Sequence, residues 1–224
     1  MSFMPVATAT LAAPQFPAYW RPTDQVLTEF PLIPVSATIA TPLSNDWIFN
    51  QVAAVTKTSV AGAADAIVLP SSYTSDPFIQ VYLRQSYKGL PVLNTQLHCV
   101  VAKSSGWLKF VRCNNSFVDF SKLQATENGN DSLSLAQISV IVKNQFGEPL
   151  AGEWLGASFG QDLSGNVPNT GFGVAIGVDT KSELGWYFNQ DRLVKAWQIS
   201  TQKCTVIADA KSGIVIGFNS FTNY

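Results

Sequence analysis

Ile79-Gln-Val-Tyr-Leu-Arg-Gln85, Leu97-His-Cys-Val-Val-Ala102 and Trp107-Leu-Lys-Phe-Val-Arg-Cys113 follow one another along the chain, broken by Lys88-Gly89 and by Ser104-Ser105-Gly106. Their apolar residues recur with a period near two, and the breaks carry turn residues. That pattern predicts an antiparallel meander from Phe78 to Phe120, buried on one side. Upstream, a helix reads from about Ser44 to Lys57. Ser44 or Asn45 is its N-cap, Asp46 sits at the positive end of its dipole, and Ile48, Val52 and Val55 line one side.

The same order recurs downstream. Asn128 to Asp131 is a polar break, after which Ser134 and Gln137 form a capping box for a helix that carries Leu135, Ile138 and Val142 on one side and stops at Gly147. Strands follow over about Phe172–Val178, Leu184–Phe188, Val194–Thr201, Cys204–Ala208 and Ile214–Phe218. Ahead of both repeats, seven of the twelve prolines fall within residues 1–43, where they deny the backbone its donors and exclude regular helix. Phe16, Tyr19, Trp20, Phe30 and Ile33 make this an extended arm packed on the domain. The chain therefore divides into an arm (1–43), a first helix and meander (44–127) and a second helix and meander (128–224). The fold class is α+β, each helix lying against a curled antiparallel sheet.

Two motifs carry a family resemblance. Val81-Tyr-Leu-Arg-Gln-Ser-Tyr-Lys-Gly-Leu-Pro-Val92 resembles the Arg-Gln-x-Tyr-x-Gly-x-Pro-Val run of the prodomains of fungalysin and thermolysin-type metallopeptidases. Leu193-Val-Lys-Ala-Trp-Gln-Ile199, with Val206-Ile-Ala-Asp-Ala-Lys-Ser-Gly213, looks like the closing strands of the PepSY module that follows in those prodomains. The resemblance implies cystatin/PepSY-like units over about residues 44–221. It also implies a metallopeptidase as partner, to which the chain would be an inhibitor or folding helper. The arm and the stretch from about Ala151 to Asn169 lie outside the motifs, and the expectation is a free-standing module without a peptidase domain.

Several chemistries are excluded. Of the 224 residues only 13% are charged, below the roughly 25% of an average soluble domain, and the net charge is −1. No Lys/Arg run offers a footprint for nucleic acid, and no apolar run approaches the ~20 residues that cross a bilayer. Met1-Ser-Phe-Met-Pro-Val-Ala-Thr-Ala-Thr10 lacks the basic and apolar regions of a signal peptide, so the expected location is cytoplasmic. Cys99, Cys113 and Cys204 then read as buried reduced thiols. A Cys99–Cys113 disulfide is the alternative, although a tight hairpin around Lys103 to Gly106 would set Cys99 opposite Phe110.

His98 is the sole histidine, which leaves no His-Glu-x-x-His zinc site; inside a strand it reads as a structural imidazole. Cys99 points to the opposite side of that strand, so the two form no nucleophile–base pair. Gly171-Phe-Gly-Val-Ala-Ile-Gly177 has the wrong spacing for a dinucleotide loop. No catalytic residue, metal ligand or essential cofactor is expected, and the chain reads as a non-catalytic carrier of a small ligand, with the metallopeptidase inhibitor or folding helper as the alternative. Trp154, Phe159, Phe172, Trp186 and Phe188, all beyond the family motifs, are the candidate site for a small apolar or aromatic ligand such as a pigment. The same rings alternatively build ordinary core or the interface of a homo-oligomer.

Overall fold

A computed structural model describes residues 12–35, 44–104, 106–125, 132–148, 150–156, 174–175 and 181–221. The chain divides into two units, one of residues 20–130 with 184–196, the other of residues 1–19, 131–183 and 197–224. The class is α+β with mostly antiparallel sheets, as the two meanders require.

In the first unit the elements run β1 (Gln25–Leu27), β2 (Ile33–Pro34), α1 (Asn45–Ser59), β3 (Ile67–Val68), β4 (Tyr73–Ser75), β5 (Phe78–Arg84), β6 (Ser86–Tyr87), β7 (Leu90–Pro91), β8 (Leu97–Ser104), β9 (Trp107–Asn115), a single 3-10 turn (Phe120–Lys122) and β10 (Gln124–Ala125). Seven strands form one sheet in the order β1-β9-β8-β5-β3, with β2 also on β9 and β4 also on β5. The Ser44 hydroxyl caps α1 by accepting from Trp47 N. Ile48, Val52 and Ala53 of the helix pack with Ile79, Val81, Leu97 and Leu108 of the strands in one buried core.

The hairpin β8–β9 departs from the simple register. Ser104 faces Trp107, so the turn lies later than the sequence predicts, and between Val101↔Phe110 and Val100↔Arg112 one extra residue, Val111, enters β9 as a bulge. Cys99 therefore faces Cys113, and not Phe110, with Cα atoms 4.1 Å apart; the two are joined in a disulfide. Of the three expected thiols only Cys204 is free, and it is buried.

The proline-rich arm contributes more than packing. Its β1 extends the sheet from Gln25↔Asn115 to Leu27↔Cys113, and β2 pairs at Leu108 and Trp107. Residues before Trp20 belong to the other unit, where Pro17 O accepts from Phe218 N and Tyr19 N donates to Phe218 O.

The second unit contains α2 (Leu135–Phe146), α3 (Leu150–Leu155), β11 (Val174–Ala175), the outer parts of β12 (Lys181–Asn189) and β13 (Arg192–Ser200), β14 (Cys204–Asp209) and β15 (Val215–Ser220). Residues 184–196 of β12 and β13 count with the first unit, a division the sequence did not indicate. The capping box of Ser134 and Gln137 is formed, and α2 ends at Gly147 with φ 69°. Ile138, Val142 and Phe146 pack on Ile199, Val206 and Val215. At the β14–β15 turn the Asp209 carboxylate accepts from Lys211 N, Ser212 N and the Ser212 hydroxyl. The Gln145 amide then ties helix to turn, donating to Gly213 O and accepting from Val215 N. Asp209 and Gly213 are thus structural. The short helix α3 occupies part of the stretch that sequence left outside the motifs. Beyond β11, the strand expected over Phe172–Val178 lies outside the described residues, as does Gly171-Phe-Gly.

Candidate binding surfaces

β12 places Gly185, Trp186, Tyr187 and Phe188 in sequence, and all four are buried, so this part of the strand is covered on both sides. Within the first unit, Trp186 and Phe188 join one apolar cluster with Val92 and Leu193. Trp20 meets Phe188 edge-on at 5.2 Å, and Tyr87 meets Trp186 at 5.6 Å and Phe120 at 4.8 Å. Polar atoms at the cluster are paired. Trp186 Nε1 donates to Tyr87 O at 2.9 Å, and the Tyr187 hydroxyl accepts from Trp20 N at 2.7 Å. Asn94, 3% exposed, donates to Trp20 O and Phe188 O and accepts from Phe188 N. Two of the five predicted ring residues therefore meet, and they meet protein side chains. Asn94, Trp20 and Tyr87 hold them; Tyr87 was visible within the prodomain-like motif, whereas nothing local marks Asn94.

Trp154 belongs to the other unit, where its ring meets Phe218 at 5.7 Å. Its carbonyl accepts from the Thr201 hydroxyl and the Cys204 thiol, while its buried indole N–H has no hydrogen-bond partner among the described residues. Burial pushes the Cys204 thiol up, which keeps it protonated and unreactive. Phe159 and Phe172 lie outside the described residues. One cavity of about 190 Å³ opens in the first unit beside Asn45, Thr74, Phe78 and Lys103. That is smaller than the ~300 Å³ at which drug-sized ligand sites begin.

His98 lies flat on Tyr82, ring centroids 4.3 Å apart, and its Nε2 is 2.7 Å from Gln80 Oε1. Burial first, and then the Arg112 charge, hold its pKa below the ordinary value. A proton NMR titration should place the imidazole midpoint below 6.5, and Arg112→Gln should move it part of the way back. Because the unfolded chain then binds more protons, this group favours folding above its unfolded pKa, and that contribution falls away as pH drops through the folded value. An unmoved midpoint in Arg112→Gln would show that the Arg112 charge is not felt there.

The side of the sheet away from α1 has a distinct composition. On β5, Phe78, Gln80, Tyr82 and Arg84 alternate with buried Ile79, Val81 and Leu83. The register sets Phe78 beside Ala102 and Lys109, Gln80 beside Val100 and Arg112, and Tyr82 beside His98 and Asn114. Tyr73 on β4 faces Gln80. Tyr73, Phe78 and Trp107 are 50%, 43% and 46% exposed. From Pro77 to Val118 the chain carries five of its fourteen Lys/Arg and none of its fifteen Asp/Glu. Among the described residues, no three His, Cys, Asp or Glu gather as a metal site, and no helix is long and apolar enough to cross a membrane.

No family model matches this sequence, and no curated protein matches it. Among solved structures the chain is similar to the Bacillus megaterium YpeB C-terminal domain, at 10% identity and a TM-score of 0.40, covering 82% of this chain and 67% of that one.

Proposed function

We propose that this chain is a non-catalytic protein-binding module that works where disulfides persist. The Cys99–Cys113 bond carries the reading, because cytosolic thiol systems keep such pairs reduced. An oxidising compartment replaces the cytoplasmic location expected from residues 1–10. The prodomain-like run Val81–Val92 and the PepSY-like strands supply the candidate partner, a thermolysin-type metallopeptidase. Inhibition assays with purified, oxidised protein test this version. A nanomolar inhibition constant is the expected result; no inhibition at micromolar protein removes the metallopeptidase as partner.

A second reading, carriage of a small aromatic molecule, is favoured by one observation, the buried Trp154 indole N–H that lacks an acceptor among the described residues. Unsatisfied buried donors cost about 1–3 kcal/mol, and a ligand acceptor would remove that cost. An absorption band above the tryptophan region, with matching extra mass in a native mass spectrum of protein from its source, would support the carrier. A clean apo mass with protein absorption alone would end it.

A further inference from the structure

We propose that the face of the first unit's sheet bearing Phe78, Trp107, Lys109 and Arg112 docks an acidic segment of a partner protein. The proposal rests on the protein-binding reading and adds the surface and the chemistry of what it binds.

Three observations carry it. The first is charge of one sign, since on this side strands β5 and β9 hold Arg84, Lys109 and Arg112, and none of β5, β8 and β9 carries a carboxylate. The second is that Lys109 and Arg112 are exposed and have no ion-pair partner among the described residues. The third is the set of exposed rings around them, Tyr73, Phe78 and Trp107. Trp, Tyr, Phe and Arg are the side chains that interface centres favour, and an arginine fork takes a carboxylate with two parallel hydrogen bonds.

Size selects a segment over a globular surface. Four neighbouring strands, β4, β5, β8 and β9, span ~15 Å, and the six residues from Trp107 to Arg112 extend ~20 Å along β9. The resulting ~300 Å² is well short of the ~800 Å² per partner of a standard interface. A short extended segment with carboxylates beside apolar side chains fits that area. Single-stranded nucleic acid fits less well, because phosphate tracking needs a row of cations and the chain as a whole is at net charge −1.

The test uses the full oxidised chain and a short peptide of alternating glutamate and phenylalanine, with its lysine-for-glutamate counterpart and an oligothymidylate as comparisons. Amide NMR shifts on titration should concentrate on strands β5, β8 and β9. Lys109→Glu with Arg112→Glu should weaken the acidic peptide about tenfold. Lys181→Glu with Lys211→Glu, the same change in net charge in the other unit, should change affinity less than about twofold. Both double variants should keep the parent circular dichroism. Equal weakening by the two pairs would overturn the proposal, as would tighter binding of the oligothymidylate. Shifts elsewhere at full affinity would overturn this face while leaving the protein-binding reading intact. No binding of either peptide, together with no peptidase inhibition, would overturn both.

Discussion

Gln85→Leu should destabilise the first unit by about 4 kcal/mol, because three buried hydrogen bonds are lost at once. Gln85 is fully buried. Its amide nitrogen donates to Gly62 O at 3.0 Å and Val118 O at 2.6 Å, and its carbonyl accepts from Val118 N at 3.1 Å. One side chain thus pins the turn after α1 to the segment after β9. The turn at Gly62 has φ 76°, a conformation suited to glycine, and it has no other support from a side chain among the hydrogen bonds described. Leucine keeps the volume but leaves two carbonyls and one N–H without partners, at about 1–3 kcal/mol each. Urea unfolding followed by circular dichroism measures the difference. A loss below about 1 kcal/mol would mean that water enters and replaces the amide.

The prodomain-like run made Gln85 visible as a motif residue, but its role depends on residues 23 and 33 positions away along the chain. The same contrast runs through the whole chain. Ser44, the Ser134–Gln137 box, Gly147 and the Asp209 turn all act within a few residues of themselves, and each was legible because its chemistry is local. Where the reading fell short, the determinant was distant. Val111 looks like any strand valine, yet as a bulge it shifts the partner of Cys99 by one residue. β1 and β2 are too short to show a period, and their strand character comes from the edge of β9. Trp186 and Phe188 both fall in the strand expected over Leu184–Phe188, which is part of β12. Their surroundings, set by Asn94 and Trp20, were invisible because those residues lie 94 and 167 positions from the β12 atoms that they bond.

This difference also bears on function. The residues first proposed for ligand binding are aromatic and lie outside the motifs, which is the composition of a pocket and equally that of a core. Only the partners of each ring distinguish the two. The sheet face escaped notice for the converse reason. Its cations, Arg84, Lys109 and Arg112, are spread over two strands and never adjacent in sequence, so no Lys/Arg run betrays them, and only the register gathers them on one side.

Replacing Cys99 and Cys113 together by alanine should cost about 3 kcal/mol, the value expected for closing a loop of this length, the two cysteines being 14 residues apart. Both are completely buried, so the lost sulfur atoms add a packing deficit to the entropic term. Denaturant unfolding of the oxidised protein with and without dithiothreitol separates the two contributions, since reduction removes the bond and keeps the atoms. Protein from its native source, alkylated in denaturant without reductant, should gain one label, at Cys204; after reduction it should gain three. Three labels without reductant would contradict the oxidising compartment and the binding reading built on it. The bond also has a geometric consequence. It fixes the β8–β9 register beyond the bulge, and in that register Arg112 stands beside Val100 and Gln80 on the side of the sheet away from α1. A slip of one residue would turn Arg112 toward the core. The disulfide therefore stabilises the unit and, by the same constraint, holds the cation on the face proposed to bind.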